Sequence, residues 1–162
     1  MKPIPSGKTH IASRPADMVR GFPRGSTILT LDGALPVEFL SPGDRIITRD
    51  CGMAILRGVT SCSVRCDTVT VMAGTLGADR PDCNVVLPAG QQVLIRDWRA
   101  QALFGRNQAL APLRALTDGE FIRHAGVQEI ALIQLTFDTP HILYVDGMEL
   151  ACEPEDALKN AA

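Results

Sequence analysis

The feature that most constrains this chain is its punctuation. Short β-branched, apolar runs alternate with breaks rich in Gly, Pro and Asp-Gly, and no run is long enough for a substantial helix. "STILTL" ends at Asp32-Gly33, a tight-turn dipeptide, and the same dipeptide recurs at Asp118-Gly119 and Asp146-Gly147. In "SPGD", Pro42 presets φ for the second turn position and Gly43 supplies the positive φ of a type II turn. Ser26 to Asp50 therefore reads as strand, turn, short strand, turn, strand. "AILRGVTSCSVRC", "TVTVMAG", "NVVLP", "QQVLIR", "EIALIQLTF" and the hairpin "HILYVDGMELA" continue the pattern. One stretch, "DWRAQALFG", is helical; Trp98, Ala102 and Leu103 share the face expected to be buried, and Gly105 is the stop. The expected fold class is mainly β, a single compact domain of many short strands with one short helix.

The length of 162 residues suits one domain. Residues 1–20 hold Pro3, Pro5, Gly7 and Pro15 and no periodicity, and they carry Lys2, Lys8, Arg14 and Arg20 against Asp17. They read as a flexible basic leader, followed by a β domain over residues 21–153 and a polar tail over 154–162. The net charge of −2 is unlike that of a dedicated nucleic-acid binder, so no nucleic-acid partner is expected. Arg96, Arg99 and Arg106 around Trp98 read as arms reaching to solvent, with the indole packed under the helix. "GTLGADRPDC" lacks the Gly-Lys-Ser/Thr ending of a phosphate loop. No apolar signal segment or membrane-length run is present, so the expected location is the cytoplasm, or outside it by a route without a cleavable signal.

The five cysteines form no disulfide framework, and Cys62 and Cys66 fall on one side of a strand without the second pair that a zinc knuckle needs. No cofactor and no metal are expected. Cys51 sits at a turn with no histidine or basic cluster nearby in sequence, and reads as inert. The apolar runs "STILTL" and "EIALIQLTF" leave room for an exposed sheet edge and a homodimer.

Three segments in order, "GFPRGSTILTLDGALPVEFLSPGDRIITRD", "VVLPAGQQVLIRDWRAQALFGRNQALAPLRALTDG" and "VQEIALIQLTFDTPHILYVDGMELACEPE", together resemble bacterial Hint domains, the fold shared by hedgehog autoprocessing domains and inteins. The resemblance runs from about Gly21 to Glu153. It implies a domain whose first residue, a Cys or Ser, attacks the preceding peptide bond, while a His of the middle segment protonates the departing nitrogen. This chain departs from that pattern twice. The nucleophile position is Gly21, which has no side chain, and the His position is Gln91, whose amide does not titrate. Asp138 and His141 remain in the closing segment, as vestiges of the site or as a turn cap and a structural histidine.

The resemblance, less those atoms, implies a degenerate Hint domain that has lost autoprocessing and serves as a binding or scaffold module for an unidentified protein partner. The alternative is a hydrolase or acyl-transfer activity that uses Asp138, His141 and a nucleophile supplied by the fold.

Overall fold

A computed structural model describes residues 19–77 and 80–152; the leader up to residue 18 and the polar tail lie outside the described residues. In chain order the elements are β1 (Phe22–Pro23), β2 (Thr27–Thr30), β3 (Gly33–Pro36), β4 (Arg45–Thr48), β5 (Gly52–Ile55), β6 (Gly58–Val71), β7 (Val85–Pro88), β8 (Gln92–Ile95), α1 (Trp98–Phe104), β9 (Ala109–Pro112), β10 (Ile122–Thr136), β11 (His141–Val145) and β12 (Met148–Cys152). Single 3-10 turns follow β3 (Val37–Phe39) and β9 (Leu113–Leu116). Among the described residues the fold is mainly β with one short helix, as the punctuation implies.

The strands form two antiparallel sheets. One has the order β1-β10-β6-β7; the other runs β3-β2-β4-β11-β12-β8-β9, with β5 beside β4. The first is dominated by the long ribbon of β6 and β10, paired from Ile122↔Val71 to Thr136↔Gly58. "EFIRHAG" and "EIALIQLTF", separate runs in the sequence, join in β10 through a bulge between His124 and Gly126. Positive φ at Gly126 (+79°) accommodates that extra residue. Neither apolar run lies free at a sheet edge. β2 is flanked by β3 and β4, and β10 is paired with β6 along its length and with β1 at Leu132 and Ile133.

One core lies between the sheets, built from Ile28, Ile46, Val93, Leu143, Val145 and Leu150 with Phe22, Val69 and Ile133. A smaller cluster holds Val19, Val64, Cys66 and Leu132, with Cys62 packed against it, so the two cysteines do share a face. The core is aliphatic because almost no aromatic residues are available: they make up 4% of the chain.

The helix corrects the sequence reading. Asp97 caps it, accepting from Arg99 N–H at 2.9 Å, and Gly105 ends it in the left-handed region. Yet Trp98 is 68% exposed and Leu103 53%, while Arg99 and Ala100 are buried. The second oxygen of Asp97 binds the Arg99 guanidinium at 2.6 Å and draws it inward, which turns Trp98 outward beneath that guanidinium. Arg96 is exposed, as expected, but its guanidinium turns back to the protein. It holds the buried carboxylate of Glu149 through two hydrogen bonds of 3.0 and 2.7 Å, with Arg80 and Arg49 at 3.5 and 3.7 Å completing the ring of charge.

The β11–β12 hairpin turns at Asp146-Gly147, with φ of +50° and +82°. Asp146 Oδ1 accepts from Thr27 N–H at 2.9 Å and ties the hairpin to β2. Burial pushes the Asp146 carboxyl up in pKa, the Thr27 bond opposes this, and the like charge of Asp82 adds to it. A raised folded-state pKa contributes stability below the unfolded carboxylate pKa and loses it as pH rises through the folded value. Asp146→Asn keeps the acceptor and the turn. It is expected to melt above the parent at pH 8 and together with it near pH 3, as read by thermal unfolding across that range.

Candidate functional site

The start of the domain is fixed by β1. Phe22 and Pro23 pair with Ile133 and Leu132, which presses the preceding residue against β10. Gly21 has φ of +144°, and a Cβ there would stand 3.3 Å from both Gln134 Cγ and Leu132 Cβ. Glycine is therefore what both the backbone and the close approach require.

Gln91 lies in the turn from β7 to β8, its N–H bonded to Pro88 O at 3.0 Å, and it is 1% exposed. Its side chain uses both ends. Nε2 donates to Gln92 O at 3.0 Å and to Ala151 O at 2.9 Å, and Oε1 accepts a long bond from Gly21 N–H at 3.4 Å. On the other side, Gln134 Nε2 donates to Arg20 O at 3.1 Å. The Arg20–Gly21 peptide is thus held by two neutral amides, one at its carbonyl oxygen and one at its N–H. A donor on the oxygen and an acceptor on the N–H both favour the planar, resonance-stabilised amide.

Cleavage needs the opposite at nitrogen, a proton delivered to it, and Gln91 presents an acceptor there. The Gln134 donor is what an attacked carbonyl needs, but Gly21 provides nothing to attack it. The cleft between these groups has a volume of about 20 Å³, room for one water. Cys152 lines it, its thiol donating to Leu135 O at 3.1 Å.

Asp138 and His141 are not brought together. Asp138 pairs with Arg57 at 3.0 Å, an exposed ion pair. The carboxylate that holds His141 is Asp50, from the β4–β5 turn, at 2.8 Å from Nδ1. Its other oxygen accepts from Ile142 N–H at 2.9 Å. Burial raises the Asp50 pKa, but the Ile142 and His141 bonds outweigh it and leave the carboxyl below its usual value. Cys51 Sγ lies 3.6 Å from the same Nδ1, and Thr139 Oγ1 lies 3.0 Å from Nε2.

A thiol, an imidazole and a carboxylate therefore do meet, at a turn where the sequence showed Cys51 without a histidine. Their arrangement is not that of a nucleophile and base. A base must face its nucleophile with one ring nitrogen and its orienting group with the other, whereas here carboxylate and thiol compete for Nδ1. His141 is paired in register with Cys152, but both its ring nitrogens are engaged elsewhere.

Sequence reasoning found Gly21 and Gln91 and missed Gln134, Asp50 and the proximity of Cys51 to His141. A polar Gln inside the apolar "ALIQL" was the available signal for Gln134. The Asp50–His141 pairing spans ninety-one positions and left none.

A profile of the Hint domain family matches residues 20–153. Among solved structures, the chain is similar to a DnaB intein from Synechocystis sp. PCC 6803, with TM-score 0.58 and 13% identity over 83% of this chain and 99% of that one. It is similar to a bacterial intein-like domain from Clostridium thermocellum, with TM-score 0.54 and 11% identity over 83% and 99%. The gp41-1 intein gives 0.51 and 8% over 82% and 98%. No curated protein matches the sequence.

If the Gln91 amide is a structural link between three segments, Gln91→Leu is expected to cost about 2–3 kcal/mol, since it leaves buried backbone groups without partners. The urea midpoint should fall with an unchanged m-value. A midpoint equal to the parent's would contradict the link.

Proposed function

This chain belongs to the Hint domain family, and from that premise we propose that it is a member without self-cleavage that works as a binding or scaffold module. One observation carries the reading. The peptide bond at the family's reacting junction is clamped by Gln134 and Gln91, with hydrogen at position 21 where a nucleophile is needed. Both losses act on one step. Without a side chain at 21 no ester or thioester forms, and with an amide acceptor at the nitrogen no leaving amine is protonated. The core and the sheets that support the junction remain complete, which favours retention of the surface rather than the reaction.

The alternative, a hydrolase or acyl transferase using Asp138 and His141, has less support. Asp138 is engaged with Arg57, and the thiol nearest His141 shares its ring nitrogen with Asp50.

The purified protein, incubated for days at neutral pH with and without hydroxylamine or dithiothreitol, is expected to keep its full mass. A break between Arg20 and Gly21 would overturn the reading, and would implicate Cys152, the thiol lining that cleft. Gly21→Cys alone is expected to stay intact, because Gln91 still offers no proton and the new Cβ is crowded. Gly21→Cys with Gln91→His is expected to cleave slowly. Brisk cleavage by the single variant would show that Gln91 is not the block.

A further inference from the structure

We propose that Asp50, Cys51 and His141 form a binding site for a divalent cation of zinc-like chemistry, separate from the Gly21 cleft and independent of the reading of that cleft. The three donor atoms come from two places far apart in sequence, the β4–β5 turn and the first residue of β11. They all lie within 4.8 Å of one another. A carboxylate, a thiol and an imidazole are each ligands that zinc accepts.

Three ligand atoms of different chemistry converge on one point. His141 Nδ1 faces Asp50 Oδ2 at 2.8 Å and Cys51 Sγ at 3.6 Å. If Nδ1 carries the proton it gives it to Asp50, and the Cys51 thiol gives its own to Met53 O at 3.4 Å. If Nδ1 is bare it accepts from the thiol, and its lone pair then faces the carboxylate. A cation between the three satisfies all of them at once.

The spacing suits one. Tetrahedral zinc with bonds of about 2.0–2.3 Å sets its ligand atoms roughly 3.3–3.6 Å apart, so the sulfur–nitrogen distance already fits. The oxygen–nitrogen distance need open by only about 0.5 Å.

The surroundings complete the arrangement. Thr139 Oγ1 stands 3.0 Å from Nε2, placed to accept the ring proton there and leave Nδ1 as the ligand. Ile142 N–H holds Asp50 Oδ1 and so turns Oδ2 toward the site. Thr48 Oγ1, 3.3 Å from Cys51 Sγ, is placed to donate to a thiolate. Asp50 and Cys51 are exposed residues, so the fourth position opens to water or an outside ligand. On binding, the Cys51 S–H bond breaks, the metal–sulfur bond forms, and the proton goes to solvent. The ring proton moves from Nδ1 to Nε2 through solvent.

Titration of the untagged protein with Co(II) tests this. One equivalent is expected to give tetrahedral visible bands and a thiolate-to-cobalt charge-transfer band, displaced by Zn(II). Cys51→Ser should abolish the charge-transfer band, and Asp50→Asn or His141→Asn should weaken binding at least tenfold. Cys83→Ser, at another exposed thiol, should change nothing. A missing band in the parent, or one that survives Cys51→Ser, overturns the proposal. A second measurement avoids variants. Zn(II) is expected to protect Cys51, but not Cys83, from iodoacetamide in the parent protein, read by peptide mass; equal labelling of Cys51 with and without Zn(II) overturns the site.

Discussion

A single buried amide joins the segments on which everything at the head of this domain depends. Gln91 reaches from the turn before β8 to the N–H of Gly21 and to the carbonyl of Ala151 in β12. It touches the residue before β1, the middle of the chain and β12. A buried amide with both functions satisfied is a stable, specific link, and one with any function unsatisfied is costly. Gln91 is therefore a fastener between three segments.

The sequence announced much of this architecture, for a physical reason. Turns at Asp32-Gly33, Ser41 to Asp44 and Asp146-Gly147 are local events, set by residues that tolerate unusual φ, and each stands where expected. The short helix and its Gly105 stop were equally local. What escaped were consequences of pairing. Trp98 faces solvent because Asp97, one residue before it, captures Arg99; helical periodicity alone does not contain that ion pair. Gly126 is a bulge rather than a break because β6 supplies a partner on both sides of it. At the site, Gly21 and Gln91 were legible through a family resemblance. Gln134, Asp50 and Cys51 were not, because their roles arise from strands that meet only in the folded sheet.

The same sheet keeps apart groups that together would be reactive. Cys152 lies in the cleft with the Arg20–Gly21 peptide, and the imidazole of His141 belongs to the residue opposite it in register. Asp50 and Thr139 draw that ring toward the β4–β5 turn, where it meets Cys51 instead. The thiol beside the imidazole ring is Cys51, and the thiol lining the cleft of the peptide bond is Cys152. Charge is distributed in the same manner. Glu149, the buried carboxylate among the arginines, secures β12 from one side while Gln91 secures it from the other.

Arg20 and Cys152 border one small cleft, so the path of the backbone into the fold and its path out adjoin. A module with neighbouring doors imposes little separation on whatever is attached to them. It behaves as a bead whose string enters and leaves at one point, and two sequences grafted to it would remain side by side.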